Sequence, residues 1–213
     1  MKRILTISMV LMFAAAAQAA VIFDYDWEDG GTVLNVYPDP DLPSLIATNV
    51  TADTDNQVYD GNYSLRLEYN ETDGTAVAYL AYLWNLQEGD HIYASFQRYD
   101  DTPGAYPLVR ISAHWCDGLP ENPESFDGLA GGNEDYGPGQ GWDVTDWSWT
   151  VSGGHTGMVI EARVNGNLGE VVWLDQLYIE LSPEAEHIYV QLPGLDPVAS
   201  ELRTWSDVKA IYR

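Results

Sequence analysis

Between Val21 and Leu192 the chain runs as short apolar or alternating stretches separated by turn-forming residues, and this pattern predicts an all-β domain. The predicted strands are VIFDYDW (21–27), YSLRLEYN (63–70), TAVAYLAYLWNL (75–86), HIYASFQRYD (91–100), LVRISAHW (108–115), WDVTDWSWTV (142–151), MVIEARV (158–164), VVWLDQLYIEL (171–181) and HIYVQL (187–192). Asp29-Gly30-Gly31, Asp60-Gly61, Asp73-Gly74 and Asn165-Gly166 supply turns between them. TAVAYLAYLWNL is apolar in both phases, as a strand covered on both faces must be, whereas HIYASFQRYD and MVIEARV alternate. A two-sheet antiparallel sandwich holds both kinds of strand. In HIYASFQRYD the apolar phase holds Ile92, Ala94, Phe96 and Arg98; in LVRISAHW it holds Val109, Ile111, Ala113 and Trp115. Residues 125–143 lack any period and predict a long loop; Trp147 and Trp149, two apart, predict a shared inward face. In VVWLDQLYIEL, alternation puts Val171, Trp173, Asp175, Leu177, Ile179 and Leu181 on one side, so Asp175 falls on the more apolar side. A carboxylate there costs several kcal/mol unless it finds partners.

The ends carry different chemistry. Lys2 and Arg3, an apolar run from Ile4 to Ala17, and Ala17-Gln18-Ala19 predict a secretory signal peptide over 1–19, too short and too small-ended for a membrane anchor. That leaves a sandwich domain over 20–192 and a segment over 193–213. The latter opens with the linker PGLDPVAS and continues as ELRTWSDVKAIYR, where Leu202, Trp205, Val208 and Ile211 predict a short amphipathic helix. So short a helix needs a surface to dock on. Its last ten residues resemble the Thr-Trp-x-x-(Ile/Val)-Lys-x-x-Tyr-Arg termini of secreted bacterial proteins, which implies possible contact with export or surface-attachment machinery.

Formal net charge is −24, and loss of residues 1–19 would remove Lys2 and Arg3 and deepen it. Nucleic acid and anionic lipid both need positive surface and are excluded as partners; calcium and glycans are compatible. One cysteine, Cys116, excludes an internal disulfide, so the fold rests on its core or a metal. Without a Cys-His-Asn arrangement, Cys116 is expected to be a small buried hydrophobe. The expected location is outside the cell or at its surface, with the periplasm an alternative.

Three stretches then acquire a common meaning: FDYDWEDGG (23–31), VYDGNYSLRLE (58–68) and the late WLDQL around Asp175. Together they resemble the jelly-roll carbohydrate-binding modules of bacterial glycan-degrading systems, within the galactose-binding-like β-sandwiches. The resemblance spans about Val21 to Leu181. It implies a jelly-roll sandwich with a structural calcium near its rim, held by Glu28 and Asp175 with oxygen donors around Asp26 and Asn62. That donor mixture of carboxylates and loop carbonyls is what calcium takes.

If HIYASFQRYD, LVRISAHW and MVIEARV share one sheet, its outward face carries Tyr93, Gln97, Arg110, His114, Glu161 and Arg163, with Tyr136 and Trp142 at the edge. Aromatic planes beside polar forks suit sugar rings and hydroxyls. The expected function is a secreted, non-catalytic carbohydrate-binding module. One alternative is a polysaccharide lyase or glycoside hydrolase on the same scaffold, although Glu161 lacks an acidic partner on its face. The other is a surface or matrix structural protein.

Overall fold

The computed structural model describes residues 20–37, 44–70, 75–100, 108–117, 126–137, 141–185, 187–195 and 198–199. The signal-peptide expectation over 1–19 and the helix expected at 201–213 lie outside these residues. Two antiparallel sheets face each other. The first contains β1 (Val21–Tyr25), β3 (Leu45–Thr51), β4 (Tyr63–Tyr69), β6 (His91–Asp100), β9 (Gly141–Thr150) and β11 (Val171–Leu181). Its order is β3-β4-β11-β6-β9, and β1 also pairs with β11. The second contains β2 (Asn35–Tyr37), β5 (Thr75–Trp84), β7 (Leu108–Cys116), β8 (Phe126–Gly132), β10 (Gly157–Asn165), β12 (Tyr189–Gln191) and β13 (Val198–Ala199). Its order is β13-β12-β5-β10-β7-β8, and β2 also pairs with β5.

The core lies between the sheets, where Phe23, Leu65, Leu67, Phe96 and Ile179 of the first meet Leu80, Ile111, Met158 and Ile160 of the second. Arg98 occupies the core phase of β6 as its alternation predicted. It reaches across the sandwich, its Nη1 donating to the carbonyls of Val109 at 2.5 Å and Asp135 at 2.8 Å, and its Nη2 to Asp143 at 2.9 Å. A buried guanidinium with these acceptors is satisfied rather than stranded. Cys116 is buried and unbridged, as expected of it.

β5 is buried along nearly its whole length for the reason its composition suggested. Ala76, Ala78, Leu80, Ala81 and Leu83 face the core, while Val77, Tyr79 and Tyr82 form a second apolar cluster with Val159 and Cys116 on the other side of the sheet. A register shift between Ile160 and Glu161 accommodates Leu80 and Ala81 both pointing inward.

The predicted strands are present, but β2, β3, β8 and β13 are additional. Residues 126–132 pair with β7 through a ladder broken by two register shifts, so the expected loop over 125–143 contains a glycine-rich edge strand without a clean period. Val198–Ala199 pair with β12 inside the stretch read as linker.

The phase predicted for residues 171–181 is corrected by a bulge. Val172 and Leu174 face the core, and after the shift between Asp175 and Tyr178 so do Leu177, Ile179 and Leu181. Gln176 takes φ 48°, the left-handed conformation that the extra residue requires. Asp175 therefore shares the outer phase with Trp173. It is nonetheless fully buried, because it sits where β4 stops pairing with β11 and β1 begins.

Candidate functional site

Two places combine buried polar groups with an arrangement that could serve function. The first is the junction around Asp175. Its Oδ2 accepts the N–H groups of Tyr59 (2.9 Å) and Asp60 (3.2 Å), and its Oδ1 accepts that of Gln176 (2.8 Å). Glu28, just beyond β1, grips the same turn from the other side: Oε1 accepts the N–H groups of Asn62 (2.5 Å) and Tyr63 (2.9 Å), and Oε2 the Asn62 side-chain amide (3.0 Å). Between the two clamps lies Gly61 at φ 75°, where a Cβ would collide with the Glu28 carboxylate. Asp26 Oδ1 accepts the Glu28 N–H at 3.2 Å and so shapes the approach.

The electrostatics of the two acids differ. Burial pushes Asp175 up to about 6 against the pull of its three amides, and the Asp26 charge adds to the rise. For Glu28 burial also pulls upward, but the Asn62 and Tyr63 donors together outweigh it and hold the carboxyl below its ordinary value. Glu28 and Asp175 thus both hold the 59–63 turn that contains Asn62, and Asp26 bonds the Glu28 N–H beside it. As a donor set they fit calcium in kind, being hard oxygens with a surplus of negative charge. Each carboxylate already accepts N–H groups here. Among the described residues, the three His or acidic side chains whose ligand atoms lie within 4.8 Å of one another are instead Asp117, Asp127 and His155. In that group His155 Nδ1 is 2.9 Å from Asp127 Oδ2 and its ring stacks on Trp115.

The second place is the outer face of the second sheet, where register aligns side chains in rows across the strands. One row runs Tyr37, Val77, Arg163, Arg110; the next Asn35, Tyr79, Glu161, Ser112; the next Gln191, Tyr82, Val159, His114. Neighbouring members of a row are about 5 Å apart by sheet geometry. Glu161 is 2% exposed and is held from both sides. Its Oε2 is 3.1 Å from His114 Nδ1 and its Oε1 accepts from Arg163 Nη2 at 3.1 Å. Arg110 donates through Nη1 to the Asn133 carbonyl and lies 5.0 Å from the centre of the Tyr136 ring. The His114 ring is sandwiched between Tyr79 (5.3 Å) and Phe126 (5.4 Å). Burial, with the Glu161 charge as the next cause, raises the Tyr79 hydroxyl above its ordinary range; burial, then the Cys116 thiol, pushes Tyr82 up to about 12.

Three buried nitrogen atoms on this face have no hydrogen-bond partner among the described residues: Arg110 Nε, His114 Nε2 and Arg163 Nε. Native interiors seldom leave such atoms unmatched, and each costs about 1–3 kcal/mol when they do. On this face, edged by exposed Tyr37, Phe126 and Leu129, the two arginine nitrogens call for acceptor oxygens, and His114 Nε2, with Nδ1 turned to Glu161, calls in the neutral imidazole for a hydroxyl donor.

The single face expected from the sequence is split. Arg110, His114, Glu161, Arg163 and Tyr136 come together, but Tyr93, Gln97 and Trp142 belong to the first sheet, because β6 pairs with β11 and β9 rather than with β7 or β10. There Trp142 packs edge-on against Tyr99 (5.3 Å) and Tyr59 (5.4 Å), and Tyr93 against Tyr178 (6.1 Å). Alternation assigns each residue to one side of its own strand, but says nothing about which strands are neighbours. Tyr79, Tyr82 and Phe126 were missed: the first two were absorbed into a doubly apolar strand, and Phe126 opened a segment without period.

No family model matches the chain, and no curated protein matches it. Solved structures with a similar fold include carbohydrate-binding modules built as β-sandwiches. The N-terminal CBM22-1-CBM22-2 tandem domain of Paenibacillus barcinonensis Xyn10C superposes with a TM-score of 0.51 at 13% identity, over 79% of this chain and 47% of that one. The CBM22-1 xylan-binding domain of the same protein gives 0.49 at 14%, over 79% and 97%. Caldicellulosiruptor saccharolyticus CBM27-1, in complex with mannohexaose, gives 0.41 at 13%, over 74% and 95%. At 13% identity the superposition at 0.51 supports a shared β-sandwich fold and nothing beyond the fold. Among the described residues no helix is long and apolar enough to cross a membrane.

Proposed function

We propose that the protein is a secreted, non-catalytic carbohydrate-binding module that takes a glycan on the outer face of its second sheet. The observation that carries this reading is the set of unmatched Arg110 Nε, His114 Nε2 and Arg163 Nε on an aromatic-edged surface. Sugar oxygens accept from the two arginine nitrogens and a sugar hydroxyl donates to His114 Nε2, while Tyr79, Tyr37 and Phe126 supply planes for the C–H faces of the rings. The CBM22-1-CBM22-2 tandem domain that superposes on this fold is a pair of carbohydrate-binding modules, which agrees in chemical class. Affinity electrophoresis against a panel of soluble polysaccharides tests the reading. A retarding glycan is expected, with retardation lost in Arg163→Gln and kept in Tyr93→Ala on the opposite sheet. Equal retardation of both variants and the parent would remove this face from the account.

Calcium belongs to the same reading as a structural ion at the Asp26, Glu28, Asn62 and Asp175 junction. Its support is the charge balance: a buried Asp175 carboxyl raised by burial and by Asp26, in a cluster that a divalent cation would neutralise. Melting with and without a chelator decides it. A fall in Tm on chelation, absent in Asp175→Asn, is expected; an unchanged Tm leaves Asp175 and Glu28 as clamps of backbone amides alone.

One feature favours a lyase as the second reading. Glu161 orients His114 through Nδ1 and leaves Nε2 free beside Tyr79, a base next to a hydroxyl acid. In a β-elimination His114 would take the proton α to a uronate carboxylate as the double bond forms. The tyrosine would then protonate the departing glycosidic oxygen. Growth of the ultraviolet absorbance of unsaturated uronate ends on incubation with polyuronates would replace the binding-only reading.

A further inference from the structure

We infer that the glycan this face accepts is acidic, a polysaccharide carrying carboxylate or sulfate groups; the inference rests on the carbohydrate-binding reading above. The first argument is where the scarce positive charge lies. The strands of the first sheet carry seven acidic side chains and two arginines, Arg66 and Arg98. Arg98 is consumed by Asp143 and two carbonyls, and Arg66 by Glu68 at 2.9 Å. The strands of the second sheet carry only Arg110, Arg163, Glu161 and Asp127, besides His114. Asp127 is engaged with His155. β2, β5 and β12, which complete the face, bear no charged side chain at all. A chain of net charge −24 therefore keeps one face on which positive charge matches or exceeds negative.

The second argument is geometric. Arg163 and Arg110 are direct cross-strand partners on that face. Like charges in this position repel and destabilise a sheet unless something lies between them. The available anion is Glu161, one residue row away, and its two oxygens are divided between Arg163 and His114. Among the described residues Arg110 makes no bond to a carboxylate; its Nη1 goes to a neutral carbonyl and its Nε to nothing. Two guanidinium edges with free Nε donors thus stand side by side with half a counter-charge between them. A planar carboxylate or a sulfate ester accepts paired N–H donors from such edges, and charge-assisted bonds of this kind are about twice as strong as neutral ones. A neutral hydroxyl would satisfy the donors but leave the repulsion in place.

Affinity electrophoresis with matched polymers tests this. Polygalacturonate is compared with the same polymer after reduction of its carboxyl groups, and carrageenan with its desulfated form. Retardation by polygalacturonate or carrageenan, at least tenfold weaker on the corresponding uncharged polymer, and kept in the Arg66→Gln control, is the expected result; which parent polymer retards tells carboxylate from sulfate. Equal retardation by charged and uncharged forms overturns the inference and leaves the carbohydrate reading standing. Retardation by none of these polymers, nor by neutral xylan or mannan, overturns both.

Discussion

At the scale of single residues, the junction around Asp175 separates two kinds of glycine. Gly30 and Gly61 both hold positive φ, at 83° and 75°, so a side chain at either costs about 1–2 kcal/mol in backbone conformation alone. A Cβ at Gly30 meets nothing, whereas one at Gly61 meets the Glu28 carboxylate that secures the Asn62 and Tyr63 amides. Gly61→Ala is therefore expected to cost at least about 2 kcal/mol more than Gly30→Ala in urea unfolding, the extra loss being the amides left without acceptors. Equal costs would mean that the Glu28 clamp contributes little. The tyrosines of the other site give a pH signature. With Tyr82 pushed up to about 12 by burial, the folded protein holds that proton after the unfolded chain, near 10, has released it. Stability contributed by the neutral hydroxyl is complete below about pH 10 and lost as pH rises toward 12. Tyr82→Phe is expected to flatten that part of the stability profile by an amount on the order of 1 kcal/mol, read from urea midpoints across the interval.

At the scale of elements, much of the fold was legible because apolar runs and Asp-Gly or Asn-Gly turns mark strands directly. The inward phase of β6, β7 and β10 was legible too, and with it the membership of Arg110, His114, Glu161 and Arg163 in an outward set. Strand adjacency was not. The order β4-β11-β6-β9 arises from pairings between segments far apart in sequence, and no local pattern encodes which partner a strand will choose. The bulge at Gln176 was hidden for a related reason: a continuous apolar run reads alike in either phase, so nothing in VVWLDQLYIEL betrays the shift after Asp175. Edges misled as well. Trp147 and Trp149 do point to the same side of β9, yet Trp147 is 41% exposed and Trp149 3%, since β9 ends its sheet and only Trp149 tucks under β8, donating from Nε1 to the Gly131 carbonyl. Trp149→Ala is expected to cost about 3–5 kcal/mol and Trp147→Ala under about 1 kcal/mol, both by chemical denaturation. Similar losses would mean that Trp147 is covered in solution.

At the scale of the whole molecule, the uneven division of charge makes stability and binding respond to salt in opposite directions. Seven acids against two arginines on one sheet, within a net charge of −24, make the folded state repel itself. Raising ionic strength from about 10 mM to about 150 mM shortens the Debye length from roughly 30 to 8 Å, which screens that repulsion and raises Tm. On the acidic-glycan reading, Arg110 and Arg163 are only half countered by Glu161, so the same salt weakens their attraction for an anionic polymer, and affinity for polygalacturonate is expected to fall. A neutral ligand would leave affinity flat while Tm rose. The sign of the two slopes, measured on one sample series, therefore separates an acidic glycan from a neutral one without any mutation. It also guards against a trivial cause, because salt that merely loosened the fold would lower both quantities together.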